Sequence, residues 1–179
     1  MAVSGGIFNK DFNVYNNKTI NVSGGIIRGN LGSFNESKVN ISGGTISGNL
    51  GAYASTENTG PGNVVTLSGG TVVGNIFAGN HGAVHISGGV LPKVSGAGGI
   101  WISTPNAAVT IAGTNLRYYN PKPGVDPDNH PGTLFYLDGK LADGTPLSVR
   151  YFEAIPGESA PTRLQGGFTR GTTPKPAKK

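Results

Sequence analysis

The chain has 179 residues, of which 36% are hydrophobic, 13% are charged and 31 are glycine, and its formal net charge is +5. The length favours one domain with a short appendage. The absence of cysteine excludes a disulfide framework, a thiol nucleophile and a cysteine-based zinc site. No stretch is apolar enough to predict a transmembrane segment, and the first thirty residues lack the charged and then apolar form of a signal peptide.

The tripeptide Ser-Gly-Gly recurs at a nearly fixed spacing. It stands at positions 4–6, 23–25, 42–44, 68–70 and 87–89, which gives steps of 19, 19, 26 and 19 residues. A fixed period in this range is typical of a solenoid, in which each repeat forms one coil. The 26-residue step is the same unit with an insertion at residues 54–62, which is rich in Gly, Ser, Thr and Asn.

Apolar residues recur at four equivalent positions of the repeat. Two of these positions flank a polar one, which is the alternation of a strand with one face buried. The other two follow the glycines and are separated by Gly-Asn pairs, which suit corners because they reach left-handed backbone angles readily. We expect stacked coils to bury the four columns in one core. The columns contain Ile20, Val39, Val65, Val84 and Val109; Val3, Val22, Ile41, Leu67, Ile86 and Ile111; Phe8, Ile27, Ile46, Val72 and Leu91; and Phe12, Leu31, Leu50 and Ile76.

Two polar positions also repeat, and each is expected to form a structural ladder along the stack. Serines that hydrogen-bond to each other or to the backbone explain the first ladder better than nucleophiles do, because no base accompanies them. The asparagines of the second ladder occupy the corners. The serine ladder contains Ser23, Ser42, Ser68 and Ser87, and the asparagine ladder contains Asn30, Asn49 and Asn75.

No helical period interrupts the pattern, so the sequence predicts an all-β protein, a right-handed parallel β-helix (β-solenoid) of about five to six coils. Its hand follows only from the general preference of crossover connections. Residues 1–112 form the repeats. Residues 113–155 contain predicted strands at 133–137 and 148–152, with turn signals at Asp138-Gly139 and within 141–147, and are expected to form a small antiparallel β-hairpin cap. Residues 156–179 form a Gly/Pro-rich basic tail, which we expect to be disordered by itself.

Groups that could carry catalysis or bind a metal are scarce. The repeats contain only three acidic residues, Asp11, Glu36 and Glu57, at non-equivalent positions of different coils. A glycosidase needs two carboxylates about 5–10 Å apart, and a calcium site needs a cluster of oxygen ligands. Turn chemistry explains Asp126 and Asp128 more simply than a cation does. We therefore predict no enzyme activity, no metal site and no cofactor.

The repeated phrase carries a resemblance. Residues 39–50, V-N-I-S-G-G-T-I-S-G-N-L in one-letter code, and their copies resemble repeats of bacterial cell-surface and autotransporter-type adhesins. Residues 132–148, G-T-L-F-Y-L-D-G-K-L-A-D-G-T-P-L-S, resemble a unit that often follows such repeats in large secreted bacterial proteins. The resemblance implies a secreted β-helix with an adhesive or structural role, and hence an extracellular or cell-surface location.

The N-terminal end of the rod is the candidate assembly surface. Val3 already stands in register with the repeat, and Phe8 and Phe12 follow it, so the first coil is expected to present strand edges that another strand could pair with. Either the rod continues in a longer protein or this end docks on another subunit. We expect head-to-tail stacking, with Pro156, Phe168 and the rest of the tail bridging subunits.

The functional hypothesis is a non-enzymatic extracellular structural or adhesive β-solenoid, assembled end to end as a subunit of a surface or matrix filament. The alternative is a carbohydrate-binding β-helix of the viral tail-spike kind. Aromatic residues clustered on one outer face would favour that alternative, but we expect the aromatics mostly in the core columns or the cap. The partners would be further copies of the chain, with polysaccharide or a cell surface as additional candidates. No specific nucleic-acid partner is expected, because the excess positive charge lies in residues 150–179, where a solvated tail explains it.

Overall fold

The computed structural model describes residues 1–53, 62–92, 98–119, 132–154 and 161–171. These residues form seventeen β-strands, and among them there is no helix that could cross a membrane. The strands are β1 Ala2–Val3, β2 Ile7–Phe8, β3 Phe12–Val14, β4 Thr19–Ile27, β5 Leu31–Phe34, β6 Lys38–Ile46, β7 Leu50–Tyr53, β8 Val64–Val72, β9 Ile76–Gly79, β10 Ala83–Val90, β11 Ile100–Ile102, β12 Ala108–Ile111, β13 Gly113–Tyr119, β14 Thr133–Leu141, β15 Pro146–Glu153, β16 Leu164–Gln165 and β17 Thr169–Arg170.

The strands form two sheets, which each coil visits in turn. The first sheet has the order β1-β4-β6-β8-β10-β12-β16, with β2 also paired to β4, and all of its pairs are parallel. The second sheet has the order β17-β13-β14-β15-β11-β9-β7-β5-β3, and its pairs are parallel from β15 to β3. The chain is therefore a β-solenoid built from stacked parallel coils, as its repeat predicts.

Four coils have the regular form, a long strand of the first sheet followed by a short strand of the second. They are β4–β5, β6–β7, β8–β9 and β10–β11. The coil before them is divided among β1, β2 and β3, and β12 is followed by the antiparallel unit instead of a short parallel strand. The solenoid thus has about four turns, slightly fewer than the five to six predicted. The prediction counted every repeat as a full coil, whereas the first and last repeats add strands to the stack without completing a coil. The hand of the coil stays a prediction.

Each long strand bends at the second glycine of Ser-Gly-Gly. This glycine has a positive φ in every copy, from 83° at Gly70 to 93° at Gly89. A Cβ built on Gly44 would lie 2.9 Å from the backbone of the preceding coil, so glycine is required both by the backbone angle and by the close approach. The motif is therefore a corner as well as a repeat marker, which the apolar pattern did not predict.

The four predicted apolar columns line one core, as the sequence analysis predicted. All members of the first two columns are at most 3% exposed. In the other two, Phe8, Phe12 and Leu91 are half-buried against the same core, and the remaining members are buried. The fourth column continues beyond the prediction, because Ile100 pairs with Ile76 on one side and with Tyr151 on the other.

The C-terminal unit is built into the second sheet. β13, β14 and β15 pair antiparallel, and β15 also pairs in parallel with β11. The two predicted strands lie within β14 and β15, whereas the predicted turn at Asp138-Gly139 is wrong, because β14 runs through it. Gly139 is needed there because a Cβ on it would lie 2.9 Å from the Asn115 carbonyl oxygen of β13. The hairpin turns at residues 142–145, within the second predicted turn at 141–147, and β13 adds a further antiparallel strand beside β14.

Part of the tail lies on the rod. β16 pairs with β12, where Leu164 opposes Val109, and β17 pairs with β13. Leu164 and Phe168 pack against the hydrophobic core. Residues 161–171 therefore add one short strand to each sheet at the C-terminal end of the stack, while residues 156–160 and 172–179 lie outside the described residues.

Candidate functional site

Six aromatic side chains form a continuous stack along the outer face of the second sheet. Neighbouring ring centroids lie between 4.7 and 6.4 Å apart, and the two ring pairs nearest the N-terminal end are almost parallel, with interplanar angles of 19° and 18°. We call this stack the aromatic ladder. It consists of Tyr15, Phe34, Tyr53, Phe77, Trp101 and Phe152.

Glycine residues make room for these rings. In β7 the ring of Tyr53 lies over Gly51, where a Cβ would come within 2.0 Å of a ring carbon, and Gly32 has the same relation to the ring of its own strand, β5. In β9 the order is reversed, because Phe77 opposes Gly51 and Gly79 opposes Tyr53. Each of these coils thus supplies one ring and one glycine to the face, and the stack stays continuous although the ring-bearing position moves.

The aromatic ladder passes from solvent into the protein. Tyr15 is 46% exposed, Phe34, Tyr53 and Phe77 are half-buried, and Phe152 is 5% exposed. Burial raises the pKa of the Tyr53 hydroxyl. The exposed part of the ladder is therefore its N-terminal portion. The strands that carry the ladder from Phe34 to Trp101 are β5, β7, β9 and β11, and they contain no charged residue.

The aromatic ladder places aromatic residues on one outer face, which the sequence analysis did not predict, because it expected them mostly in the core columns or the cap. Sequence alignment of the repeats missed it because its members occupy two positions of the repeat: Phe34 and Tyr53 share one, while Phe77 and Trp101 share the other. Each alignment column therefore shows an aromatic residue in only some coils. A search for a glycine and an aromatic residue two positions apart on the same strand would have found it in three successive coils.

The corner asparagines form a ladder of hydrogen bonds between coils. Asn30 Oδ1 accepts from the backbone N–H of Asn49, and Asn49 Oδ1 accepts from that of Asn75, each at 2.8 Å. Asp11 begins the series by accepting from the Asn30 N–H at 2.8 Å, and Asn75 ends it by accepting from the Gly99 N–H at 3.0 Å. Side chains therefore tie five successive corners together. The Trp101 indole N–H also donates to Asn75, at 3.1 Å, which joins this ladder to the aromatic one.

The serines of Ser-Gly-Gly lie on the outside of the bend. Ser23, Ser42 and Ser68 are exposed and Ser87 is half-buried. Ser68 Oγ donates to the Ile41 carbonyl at 3.2 Å, which is a contact between neighbouring coils. Ser68 thus contributes to the stacking of neighbouring coils.

The N-terminal end presents an open edge. Among the described residues, β1, β2 and β3 are hydrogen-bonded to another strand on one side only. Val3 is buried in the core, Phe8 and Phe12 pack edge to face with centroids 5.5 Å apart, and Ile7 is 56% exposed. Of the other predicted assembly residues, Phe168 contacts the core of its own chain at the opposite end, and Pro156 lies outside the described residues.

A buried carboxylate fixes the tail segment to the rod. Glu153, the last residue of β15, is 0% exposed. Its carboxylate accepts hydrogen bonds from the Tyr151 hydroxyl at 2.8 Å, the Thr162 N–H at 3.2 Å, the Thr162 hydroxyl at 2.9 Å and the Arg163 N–H at 2.8 Å. Burial, and then the charge of Glu153, raise the pKa of the Tyr151 hydroxyl. We call this arrangement the Glu153 latch.

The acidic groups of the described residues do not converge on a reaction centre. No group of three or more His, Cys, Asp or Glu side chains that could hold a metal ion occurs within that part of the chain. Asp143 Oδ2 accepts from the Gly89 N–H and its Oδ1 from the Thr145 N–H, each at 2.8 Å, so this carboxylate fastens the hairpin turn to the bend of β10. Asp126 and Asp128 lie outside the described residues, and the absence of enzyme activity and of a cofactor stays a prediction.

Comparison with protein-family models, with curated proteins and with solved structures finds no match to this chain. The resemblance to bacterial surface repeats therefore stays a prediction, and the geometry of the ladders and of the open edge carries the functional argument.

Proposed function

We propose that this chain is a non-enzymatic structural or adhesive β-solenoid, located outside the cell or on its surface, that assembles end to end into a filament. A β-solenoid is consistent with a structural or adhesive protein, because its stacked coils form a stiff rod with long lateral faces. The observation that carries the assembly proposal is the open N-terminal edge. Unpaired strand edges beside apolar core residues form a template for pairing with another strand.

The partner for this edge is a second copy of the chain. The C-terminal end of the stack carries apolar residues of the same core, Leu164 and Phe168, on and beside the short strands β16 and β17. A contact between the two ends would continue both the sheets and the core from one copy to the next. Because it joins two different surfaces, it propagates as an open fibre unless its rotation closes a ring.

The non-enzymatic and extracellular parts of the proposal have separate support. The carboxylates with described contacts hold the chain to itself: Asp11 at the first corner, Asp143 at the hairpin turn and Glu153 at the latch. The resemblance to secreted adhesin repeats supports an extracellular location. A second candidate function, carbohydrate binding, is favoured by the aromatic ladder.

Sedimentation velocity and negative-stain electron microscopy of the full chain test the assembly. Single solenoids would be rods about 30 Å long, since strands stack at ~4.8 Å, and we expect longer rods to form as the concentration rises. A monomer that persists at high concentration would contradict end-to-end assembly. Incubation with neutral and acidic polysaccharides should release no reducing sugar above a blank, and a release would contradict the non-enzymatic role.

A further inference from the structure

We propose that the aromatic ladder binds a neutral polysaccharide, laid as an extended chain along the axis of the rod. This inference deepens the adhesive role proposed above and rests on it for its biological purpose. The binding itself can be measured on a monomeric chain, so the two proposals can fail independently.

The rings of the aromatic ladder are not packed tightly against each other. Carbon atoms in contact lie about 3.5–4.0 Å apart, whereas the nearly parallel rings of Tyr15 and Phe34 have centroids 5.0 Å apart. Their faces are therefore not in full van der Waals contact with each other. Phe34, Tyr53 and Phe77 are all partly exposed, so uncovered parts of their rings reach solvent.

The chemistry of this face suits an uncharged ligand. The rings stand beside glycines in β5, β7 and β9, and the strands that carry them from Phe34 to Trp101 contain no charged residue. Sugar rings have an apolar face of C–H bonds, whose slightly positive hydrogens are attracted by the negative face of an aromatic ring. An uncharged aromatic strip suits a neutral glycan.

The shape of the strip suits a linear polymer. Each coil contributes one ring, and successive coils are about 4.8 Å apart, close to the length of one sugar unit in an extended β-linked glycan. The whole ladder is then roughly 25 Å long and one ring wide, an area far below the ~800 Å² that each partner contributes to a stable protein–protein interface. The strip therefore fits a linear polymer better than a second folded protein.

Trp101 provides a direct test, because it is the only tryptophan in the chain and belongs to the ladder. The full chain, kept dilute enough to be monomeric, is titrated with soluble oligosaccharides of cellulose, chitin, mannan and xylan while tryptophan emission is recorded. We expect at least one of them to cause a saturable change. Phe34→Ala and Tyr53→Ala should each weaken that binding roughly tenfold, because each removes one stacking ring.

Ile26→Ala is the matched control for Phe34→Ala. Ile26 belongs to the same coil and is 38% exposed, but it lies in the first sheet, away from the ladder. This variant should bind as the parent does. Circular dichroism and thermal melting establish that each variant is folded, and Phe34→Leu and Tyr53→Leu, which keep apolar volume but lack a ring, replace any alanine variant that is not.

Three results would overturn the proposal. One is an unchanged emission across the whole neutral panel, and another is binding that the ladder variants retain in full. The third is binding only of anionic glycans, abolished by high salt and unaffected by the ladder variants, which would indicate the basic residues instead. Filaments without a glycan response would leave the assembly proposal standing, whereas a glycan response in a strictly monomeric protein would leave the ladder proposal standing.

Discussion

At the scale of single residues, side chains add hydrogen bonds to the backbone pairing between coils at the Gly-Asn corners. Asn49 illustrates this, because its N–H is bound by the side chain of Asn30 while its own Oδ1 binds the N–H of Asn75. Asparagine suits this position because its short amide side chain can imitate a peptide group. The corner is thus held from coil to coil even though no strand passes through it.

Replacing Asn49 by alanine should destabilise the solenoid by about 1–3 kcal/mol, because the partly buried N–H of Asn75 would lose its acceptor. Chemical denaturation followed by circular dichroism measures this change. Asn40→Ala is the control, since Asn40 belongs to the same coil but its side-chain amide donates a hydrogen bond to Asn21 Oδ1 on the exposed face. That variant should lie within about 0.5 kcal/mol of the parent, and equal losses in the two variants would contradict a special role for the corner.

Asp143 makes the attachment of the hairpin turn dependent on pH. Hydrogen bonds from the Thr145 and then the Gly89 backbone N–H lower the pKa of this carboxyl from its ordinary value of 3.8. A lowered pKa means that the folded state favours the charged form, so this stabilisation is present above that value and is lost as the pH falls through the folded pKa. Asp143→Ala should therefore melt below the parent at neutral pH, and the gap should close in strong acid. Asp138→Ala, in the same hairpin, is the control, and a gap that did not depend on pH would contradict the argument.

At the scale of elements, the strands and the positions of the Gly-Asn corners could be predicted because each depends on residues that recur at one position of the repeat. Ile46 and Asn49, for example, have equivalents 19 residues earlier and 26 residues later. The left-handed backbone angle expected at these corners was wrong, because neither the asparagines nor the glycines before them have a positive φ. The aromatic ladder could not be found in this way, because Tyr53 and Phe77 stack in space from different positions. The bend at Gly44 was missed because an apolar pattern carries no signal of backbone angle.

The Glu153 latch could not be predicted from the sequence, for a related reason. Glu153 lies on the inner side of the second sheet, where Ile102 opposes it, and nothing in the neighbouring sequence marks a carboxylate there as buried. Its partners Thr162 and Arg163 are separated from it by residues of no regular pattern. A single buried acidic group acquires its role only from the tertiary contacts that satisfy it.

Glu153→Gln tests the latch. Glutamine keeps one acceptor oxygen but directs an N–H₂ group toward donors, so hydrogen bonds from Tyr151 and Thr162 cannot all be kept. We expect faster hydrogen exchange in residues 161–171 and a loss of about 1–3 kcal/mol or more of stability. Glu36→Gln, at a corner of a regular coil, should change neither. Exchange that stayed slow in the Glu153 variant would show that the latch does not hold the tail.

At the scale of the whole molecule, the two ends of the solenoid differ. The C-terminal end carries the short edge strands β16 and β17, which are held by the Glu153 latch and by Leu164 and Phe168 against the core. The N-terminal end shows β1, β2 and β3 paired on one side only among the described residues. Each end therefore offers strand edges that are unpaired among the described residues, with β1, β2 and β3 at one end and β16 and β17 at the other.

The assembly proposal is tested most sharply by a charge placed at this edge. Phe12 is half-buried at the end of the fourth core column, so in Phe12→Lys the ammonium group can reach water while the chain is monomeric. Under a docked second copy the same ammonium would be buried without a partner, at a cost of several kcal/mol. We therefore expect this variant to keep its β-sheet spectrum and to remain monomeric at concentrations where the parent forms rods, as measured by sedimentation velocity.

Ile26→Lys adds the same charge on the outer face of β4, one coil away from the edge, and should assemble like the parent. If Phe12→Lys loses its fold, Ile7→Lys on the exposed side of β2 serves in its place, and rods formed equally by parent and edge variant would mean that this edge is not the assembly surface.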